Sequence, residues 1–452
     1  MNFPRLRNLD LVAGFVLAAA LFLQGSMVLA SSSGWTEYTL LRPSSVPSGY
    51  TFTESISGIS SIPGSGGIVV AGSAVGHAPN AAGGQILPFV EIESGGSVHD
   101  ISPSFPGTST VVNSVSALAS NDVWIVGSSQ PGNKFSDEVP SYAFADHWNG
   151  SAWQLATLPT VAKTVPGSLY SVSEDAPNDV WATGFSGTKG APTNFMFHWN
   201  GVTWTSLQEP LANSYLQAVE AFTPNNVVFL IGSTVRKSPV MQVWNGSTFT
   251  NNAIPLQNGG AIASPTFLSG NSGSNLWIAV QISTPLGQQT GIYHWNGTAF
   301  STLPNFRTVS GGNFSVTSVG AVGSNDVWVS GITSIGRQGK TLIPTPFIQH
   351  FNGTSWTVVE ITINGKKTNG EINAVTPVSQ GTVAFAGITT PENGFIVLHT
   401  GNTLSPLDLG TTRNSGFPLW LGIAIVVVVV LAAGITVVIM KRRTVSRGQS
   451  HA

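Results

Sequence analysis

The 452-residue sequence contains no cysteine, and only 8% of it is Asp, Glu, Lys or Arg. The first absence excludes a disulfide framework, thiolate zinc sites, iron–sulfur clusters and cysteine nucleophiles. The second lies far below the roughly 25% charged residues of an ordinary globular domain. At a formal net charge of −2 there is no basic excess to neutralise phosphates, which excludes nucleic acid as a partner class. A G-x-S-x-G elbow, an H-E-x-x-H pair and a P-loop are also missing. What the sequence does have is 51 Gly, 27 Pro, 13 Trp, 23 Phe and 6 Tyr. Disordered chains are poor in aromatics and high in net charge, so this composition specifies a folded, turn-rich protein with a large core.

Both ends read as addressing signals. Arg5 and Arg7 precede an apolar run from Leu11 to Leu23, and a small-residue site follows at Val28-Leu29-Ala30. That order describes a secretory signal cut after about Ala30. Near the other end, Phe417 to Met440 is 24 residues without a charge. As a helix it would be about 36 Å long, enough to cross a hydrocarbon core of about 30 Å. Lys441, Arg442, Arg443 and Arg447 follow at once and place the C-terminus in the cytoplasm, with Trp420 near the outer interface. The expected layout is a signal peptide (1–30), an exterior domain (31–409), a juxtamembrane linker (410–416), a transmembrane helix in the bilayer (417–440) and a cytoplasmic tail (441–452). Residues 31–415 hold 12 of the 18 basic and 19 of the 20 acidic residues, a formal charge of about −7. Their polar surface must come mainly from Ser, Thr, Asn, Gln and Gly. Such a surface changes charge little in acid and suits an acidic or harsh medium.

The exterior is a repeat array. Asn121-Asp122-Val123-Trp124-Ile125-Val126-Gly127 returns at Asn178 to Gly184, at Ser274 to Val280 and at Asn325 to Gly331, with weaker copies ending at Gly72, Gly232 and Gly387. The steps between copies are 55, 57, 48, 48, 51 and 56 residues. Seven copies at about 50 residues is a propeller period. A second signature follows each well-preserved copy: His147-Trp148-Asn149-Gly150, His198 to Gly201, Val243 to Gly246, His294 to Gly297 and His350 to Gly353. Asn-Gly signals a tight hairpin, read here as type I′, and the Asn-Asp before Val-Trp reads as a turn whose Asx side chain bonds its own backbone. Short apolar runs around these turns supply four strands per unit, for example 168–174, 179–185, 194–199 and 203–208. No segment of 31–415 has a helical period.

The pattern predicts an all-β fold, a seven-bladed β-propeller ectodomain with one C-terminal transmembrane helix. The repeated Trp residues should fill space between blades. Trp35 to Leu40 resembles a fourth strand but precedes the first complete unit, so it should pair with the last blade (371–399) and join the ends of the ring. Leu404 to Leu409 would be a competing strand or the stalk to the membrane. On its Val-Trp-x-x-Gly strand and aromatic-Asn-Gly hairpin the exterior resembles extracellular β-propellers with kelch-like or tectonin-like repeats. It lacks the paired glycines of kelch repeats and the Gly-His and Trp-Asp signatures of WD40 repeats.

The chemistry is sparse. His147, His198, His294, His350 and His399 share one repeat position, so a ring keeps them on separate blades and a metal site is not expected. Arg42, Arg236, Arg307, Arg337 and Arg413 fall at no common repeat position, which argues against a sialidase-like carboxylate cluster. Glu91 and Glu93, or Asp137 and Glu138, are sequence neighbours and do not define an acid/base pair across a sugar. No catalytic residue, metal ligand or cofactor is assigned. Asn149, Asn245, Asn296, Asn313 and Asn352 each begin an N-x-S/T sequon and are candidate glycosylation acceptors, although four of the five are explained by turn chemistry alone. The expectation is a non-enzymatic cell-surface binding or adhesion module for an extracellular protein or glycan. Its recognition segments would be 74–86, 129–141, 186–193, 234–239, 283–290 and 333–346. A self-associating envelope component and a carbohydrate-active propeller enzyme are the alternatives.

Overall fold

A computed structural model describes residues 34–79, 84–136, 138–186, 192–208, 211, 214–233, 238–256, 262–284, 287–302, 306, 313–338, 341–359, 361–363, 366–367, 369–389, 393–401 and 407–408. The signal peptide, linker, transmembrane segment and tail expected from the sequence lie outside these residues. Among the described residues no helix is long and apolar enough to cross a membrane.

Seven four-stranded antiparallel sheets form the blades of a β-propeller. Blade 1 spans 51–100, blade 2 108–155, blade 3 168–206, blade 4 214–253, blade 5 262–302 and blade 6 313–359. In blade 3 the strands are Ser168–Ala176, Asp179–Phe185, Asn194–Trp199 and Trp204–Ser206, close to the boundaries read from the sequence. Blade 7 is composite. Gly370–Ser379, Thr382–Thr389 and Asn393–Thr400 are completed by Trp35–Thr39, which pairs antiparallel from Trp35 opposite His399 to Thr39 opposite Phe395. The ring closes through the N-terminal strand, as expected. Leu407–Asp408 takes the strand alternative and lies parallel to Ile361–Ile363. One five-residue helix, Thr160–Thr164, joins blades 2 and 3, where the sequence shows no helical period.

The repeated Trp residues lie between blades. Trp124 of blade 2 packs with Leu169, Val172, Phe195 and Trp204 of blade 3. Trp181 does the same with blade 4, Trp277 with blade 6 and Trp328 with blade 7.

A β-bulge sits in the first strand of every blade, the strand nearest the axis. Its extra residue is Ser57, Asn113, Tyr170, Gln217, Thr266, Thr317 or Asn373 in blades 1 to 7. In blades 1, 2, 3, 6 and 7 a glycine of the second strand faces the residue just before the bulge, where the backbones approach closely; Ile231 and Val280 stand there in blades 4 and 5. A Cβ at Gly127 would stand 1.9 Å from the Val111 carbonyl oxygen, and one at Gly184 2.0 Å from that of Ser168.

Each inner strand also has a free edge whose N–H groups need acceptors. In blades 2, 3, 4 and 6 serines of the preceding blade supply them. Ser60 Oγ accepts from Ala117 N at 3.1 Å, Ser116 Oγ from Glu174 N at 3.0 Å and Ser173 Oγ from Ala221 N at 2.9 Å. Ser114, Ser171 and Ser269 serve Val172, Val219 and Ala321 in the same way. Ser173→Ala leaves the Ala221 N–H unpaired inside the protein and should cost about 1–3 kcal/mol. The exposed turn residue Ser151 provides the control, and Ser151→Ala should stay within about 0.5 kcal/mol of the parent. Chemical denaturation of the two variants distinguishes them, and equal midpoints would contradict this account.

Candidate functional site

The two signature turns of each unit meet. Asn149 N donates to the Ala152 carbonyl at 3.2 Å, and Asn149 Oδ1 accepts from the N–H groups of Ser151 and Ala152 at 3.0 Å each. Gly150 is therefore the first central residue, with φ of 89°. A positive φ at the first central residue is common to types I′ and II′, and the Asn side chain precedes the bend and accepts its N–H groups. A Cβ on Gly150 would lie 2.5 Å from Cβ of Asn121, so the hairpin turn rests against the Asn-Asp turn and only glycine fits.

The Asp of Asn-Asp does not bond its own backbone. Asp179 Oδ1 accepts from Trp181 Nε1 at 2.9 Å and pairs with His198 Nε2 at 2.6 Å, while the His198 ring stacks on Trp181 at 4.3 Å. Asp326, Trp328 and His350 repeat the arrangement. Asp122 holds His147 at 2.7 Å over Trp124, and Asn275 holds His294 at 2.7 Å over Trp277. These histidines are structural clips on separate blades. Among the described residues no group of three or more His, Asp or Glu is placed to hold a metal ion. His399 occupies the same register in blade 7, buried against Trp35.

The other candidates also resolve into structural roles. Glu91 accepts the Leu41 N–H at 3.0 Å through both carboxyl oxygens, and Glu93 accepts from Gly96 N at 3.0 Å. Glu54 accepts from Gly394 N at 3.2 Å and Asp100 from Ser44 N at 2.6 Å. Blade 1 thus clasps the chain on both sides of the closing strand with carboxyl groups. Arg42 is exposed, donates to the Pro47 carbonyl at 2.7 Å and lies 4.9 Å over the Phe52 ring. The side chains of Arg236, Arg307, Arg337 and Arg413 lie outside the described residues, as does Asp137; Glu138 is exposed.

What the sequence reading missed is the interior of the ring. A cavity of about 1590 Å³ runs along the axis, and all seven bulge residues line it. Every one is polar and none is charged. The signal was present: six of the seven bulges sit in an apolar-polar-small-apolar stretch such as Val112-Asn113-Ser114-Val115 or Leu216-Gln217-Ala218-Val219, blade 5 having Phe267 in the small position. Glu174, Glu220, Glu371 and Asp326 also line the cavity, and no Lys, Arg or His does so among the described residues. Burial, with the neighbouring Asp122 carboxyl adding to it, pushes Glu174 up to about 9. Burial alone pushes Glu220 up to about 8 and also raises Glu371, whose carboxyl accepts from Asn373 Nδ2 at 3.2 Å.

Connections between second and third strands share one face of the disc with the linkers between blades. The Asn-Gly turns lie on the opposite face. Asn149, Asn245, Asn296 and Asn352 are exposed there, whereas Asn313 starts the first strand of blade 6 on the loop face. Two expected recognition loops are in fact strand. In blade 5 the hairpin runs through Asn275–Thr284 and Gly287–Trp295, and in blade 6 through Asp326–Gln338 and Thr341–Phe351. Segments 283–290 and 333–346 are therefore mostly the ends of long hairpins. Their Gly, Gln and Thr content imitates a loop, yet the ladder continues to the tip.

By class the described chain is a seven-bladed β-propeller closed by its N-terminal strand, with a polar axial channel. No protein-family model matches the sequence, and no curated protein matches it. Solved structures share the fold. YCF48 bound to D1 peptide aligns over 83% of this chain and 100% of its own, at 14% identity and a TM-score of 0.48. An oligogalacturonate lyase from Vibrio parahaemolyticus aligns over 84% and 97%, at 9% identity and 0.48. A xyloglucanase from Xanthomonas campestris aligns over 80% and 55%, at 11% identity and 0.46. At such identities the likeness concerns the fold alone.

Two predictions follow from the side-chain chemistry. Asp179→Ala strands the Trp181 and His198 donors and should destabilise by about 2–4 kcal/mol, whereas Asp179→Asn, which copies Asn275, should retain most of the stability. Thermal unfolding of both variants checks the order. The second concerns pH. Glu54 is pushed up to about 8, Glu91 to about 9 and Asp146 to about 7, with burial the leading cause in each. With Glu174 and Glu220, these groups hold their protons more tightly folded than unfolded. Their stabilisation is complete below the ordinary Glu value of 4.5 and is lost as pH rises through 7 to 9. Burial holds His294 and His399 below 6.5, so they oppose folding only as pH falls through that value. Tm should therefore peak at about pH 5–6 and fall steadily toward pH 9. A maximum above pH 8 in calorimetry would refute this.

Proposed function

We propose that the chain is a non-enzymatic recognition module held outside the cell by its apolar segment 417–440, engaging an extracellular protein or glycan through the loop face and the channel mouth. The observation that carries this reading is how the reactive-looking groups are used. The repeat histidines clip tryptophans, the blade 1 carboxyls accept N–H groups beside the closing strand, and the axial cavity is left with a ring of uncharged polar residues. A rigid ring that presents loops and an open channel is built to bind. The charge-poor surface suits an exterior location, and four of the five sequons lie on the face opposite the loops, with Asn313 alone on the loop face.

One observation favours the structural alternative. Leu155 and Val358 are exposed on the outermost strands of blades 2 and 6, where sheet edges could meet laterally. Replacing 333–346 by a short Gly-Ser turn in the full-length chain should leave the Tm within a few degrees of the parent and reduce crosslinking to surface partners on intact cells. Protease added to those cells should remove the propeller. Unchanged crosslinking, or a laterally polymerised full-length chain, would move the reading to the envelope component.

A further inference from the structure

We infer that the axial channel takes an uncharged, hydroxyl-rich glycan chain, threaded past the ring of bulge residues. This rests on the recognition-module reading and adds the chemistry of its ligand. The ring offers hydroxyls and amides from all seven blades; Thr266, Thr317, Asn113 and Asn373 already donate within the protein and present acceptor oxygens, while groups such as the Gln217 amide both donate and accept, as sugar hydroxyls do. An anionic ligand, whether phosphate, uronate or sialate, finds no cation among the described lining residues and meets Glu174, Glu220, Glu371 and Asp326 instead. A cationic ligand would need ionised partners. Glu174 and Glu220 keep their protons up to about 9 and about 8, so at neutral pH each presents one donor and one acceptor, much as an amide does.

Within the channel a peptide could add to the sheets along the free edges of the inner strands. In blades 2, 3, 4 and 6 those edges are already engaged: the N–H groups of Ala117, Val172, Glu174, Val219, Ala221 and Ala321 donate to serines of the preceding blade. The volume of about 1590 Å³ exceeds the roughly 300–1,000 Å³ of an ordinary small-molecule pocket, which suits an oligomer.

The test uses the full-length chain in lipid nanodiscs, titrated calorimetrically with maltoheptaose, cellohexaose, an oligogalacturonate, a chitosan hexamer and a neutral decapeptide. Binding of at least one of the two neutral sugars, flat from pH 5 to 7 and weaker above pH 8, is expected. Gln217→Ala combined with Thr266→Val should weaken it about tenfold, the scale of one or two hydrogen bonds. Glu220→Gln should retain the binding and lessen its loss above pH 8, while Glu220→Lys should weaken it. Tryptophan fluorescence confirms that each variant is folded. Preference for the uronate, the chitosan or the peptide, or binding of neither neutral sugar, overturns the inference. If no sugar binds while the 333–346 exchange still abolishes partner crosslinking, the inference falls and the recognition module stands. If sugar binds and the exchange changes nothing, the glycan channel stands and the loop-face reading falls.

Discussion

Blades 2, 3, 4 and 6 of this propeller each depend on a hydroxyl that belongs to the preceding blade. A sheet placed on edge against the axis exposes a row of N–H groups, and water could satisfy them only if the blades stood apart. Ser60, Ser116, Ser173 and Ser269 close that gap from the preceding blade while Val115, Val172 and Val219 pack beside them. The interface is thus bonded and apolar at once and needs no charge. The scarcity of Asp, Glu, Lys and Arg is the compositional trace of this arrangement. Where carboxyls do enter the interior, as Glu54 and Glu91 at the ring closure, they do the work of the serines and accept backbone N–H groups.

The architecture was legible because its signals are periodic. The Val-Trp-x-x-Gly strand, the aromatic-Asn-Gly hairpin and the displaced strand at Trp35 carry the number of blades and the closure. The axial ring was not legible by alternation, because a bulge puts apolar residues three apart, as at Val112 and Val115, and destroys the two-residue period just where the polar residue turns inward. The role of the Asn in the hairpin was not legible, because its side chain replaces a backbone acceptor and leaves glycine first in the bend. Asp122, Asp179 and Asp326 look like turn residues in the sequence, and only the fold brings them to histidines 19 to 25 positions away.

The histidine clips and the channel divide the chemistry of the repeat between them. Each clip locks a tryptophan into the groove between blades and so fixes the angle at which the next blade leans. The bulges then inherit that angle, and their side chains converge at a common radius. On the proposed reading, specificity would be set by the seven residues at one repeat position and by the loop face, on a scaffold built by the other positions.

The composite seventh blade also orders events in time. Trp35–Thr39 is made early, yet its partner, Asn393–Thr400, lies some 350 residues downstream. A growing chain can complete six blades while the first strand waits unpaired, and the disc can lock only when almost all of the described chain has emerged. Closure across so long a loop is slow in principle. A chain cut short before Asn393 keeps its apolar leading strand open to any passing sheet edge, so the same joint that secures the finished ring marks an unfinished one.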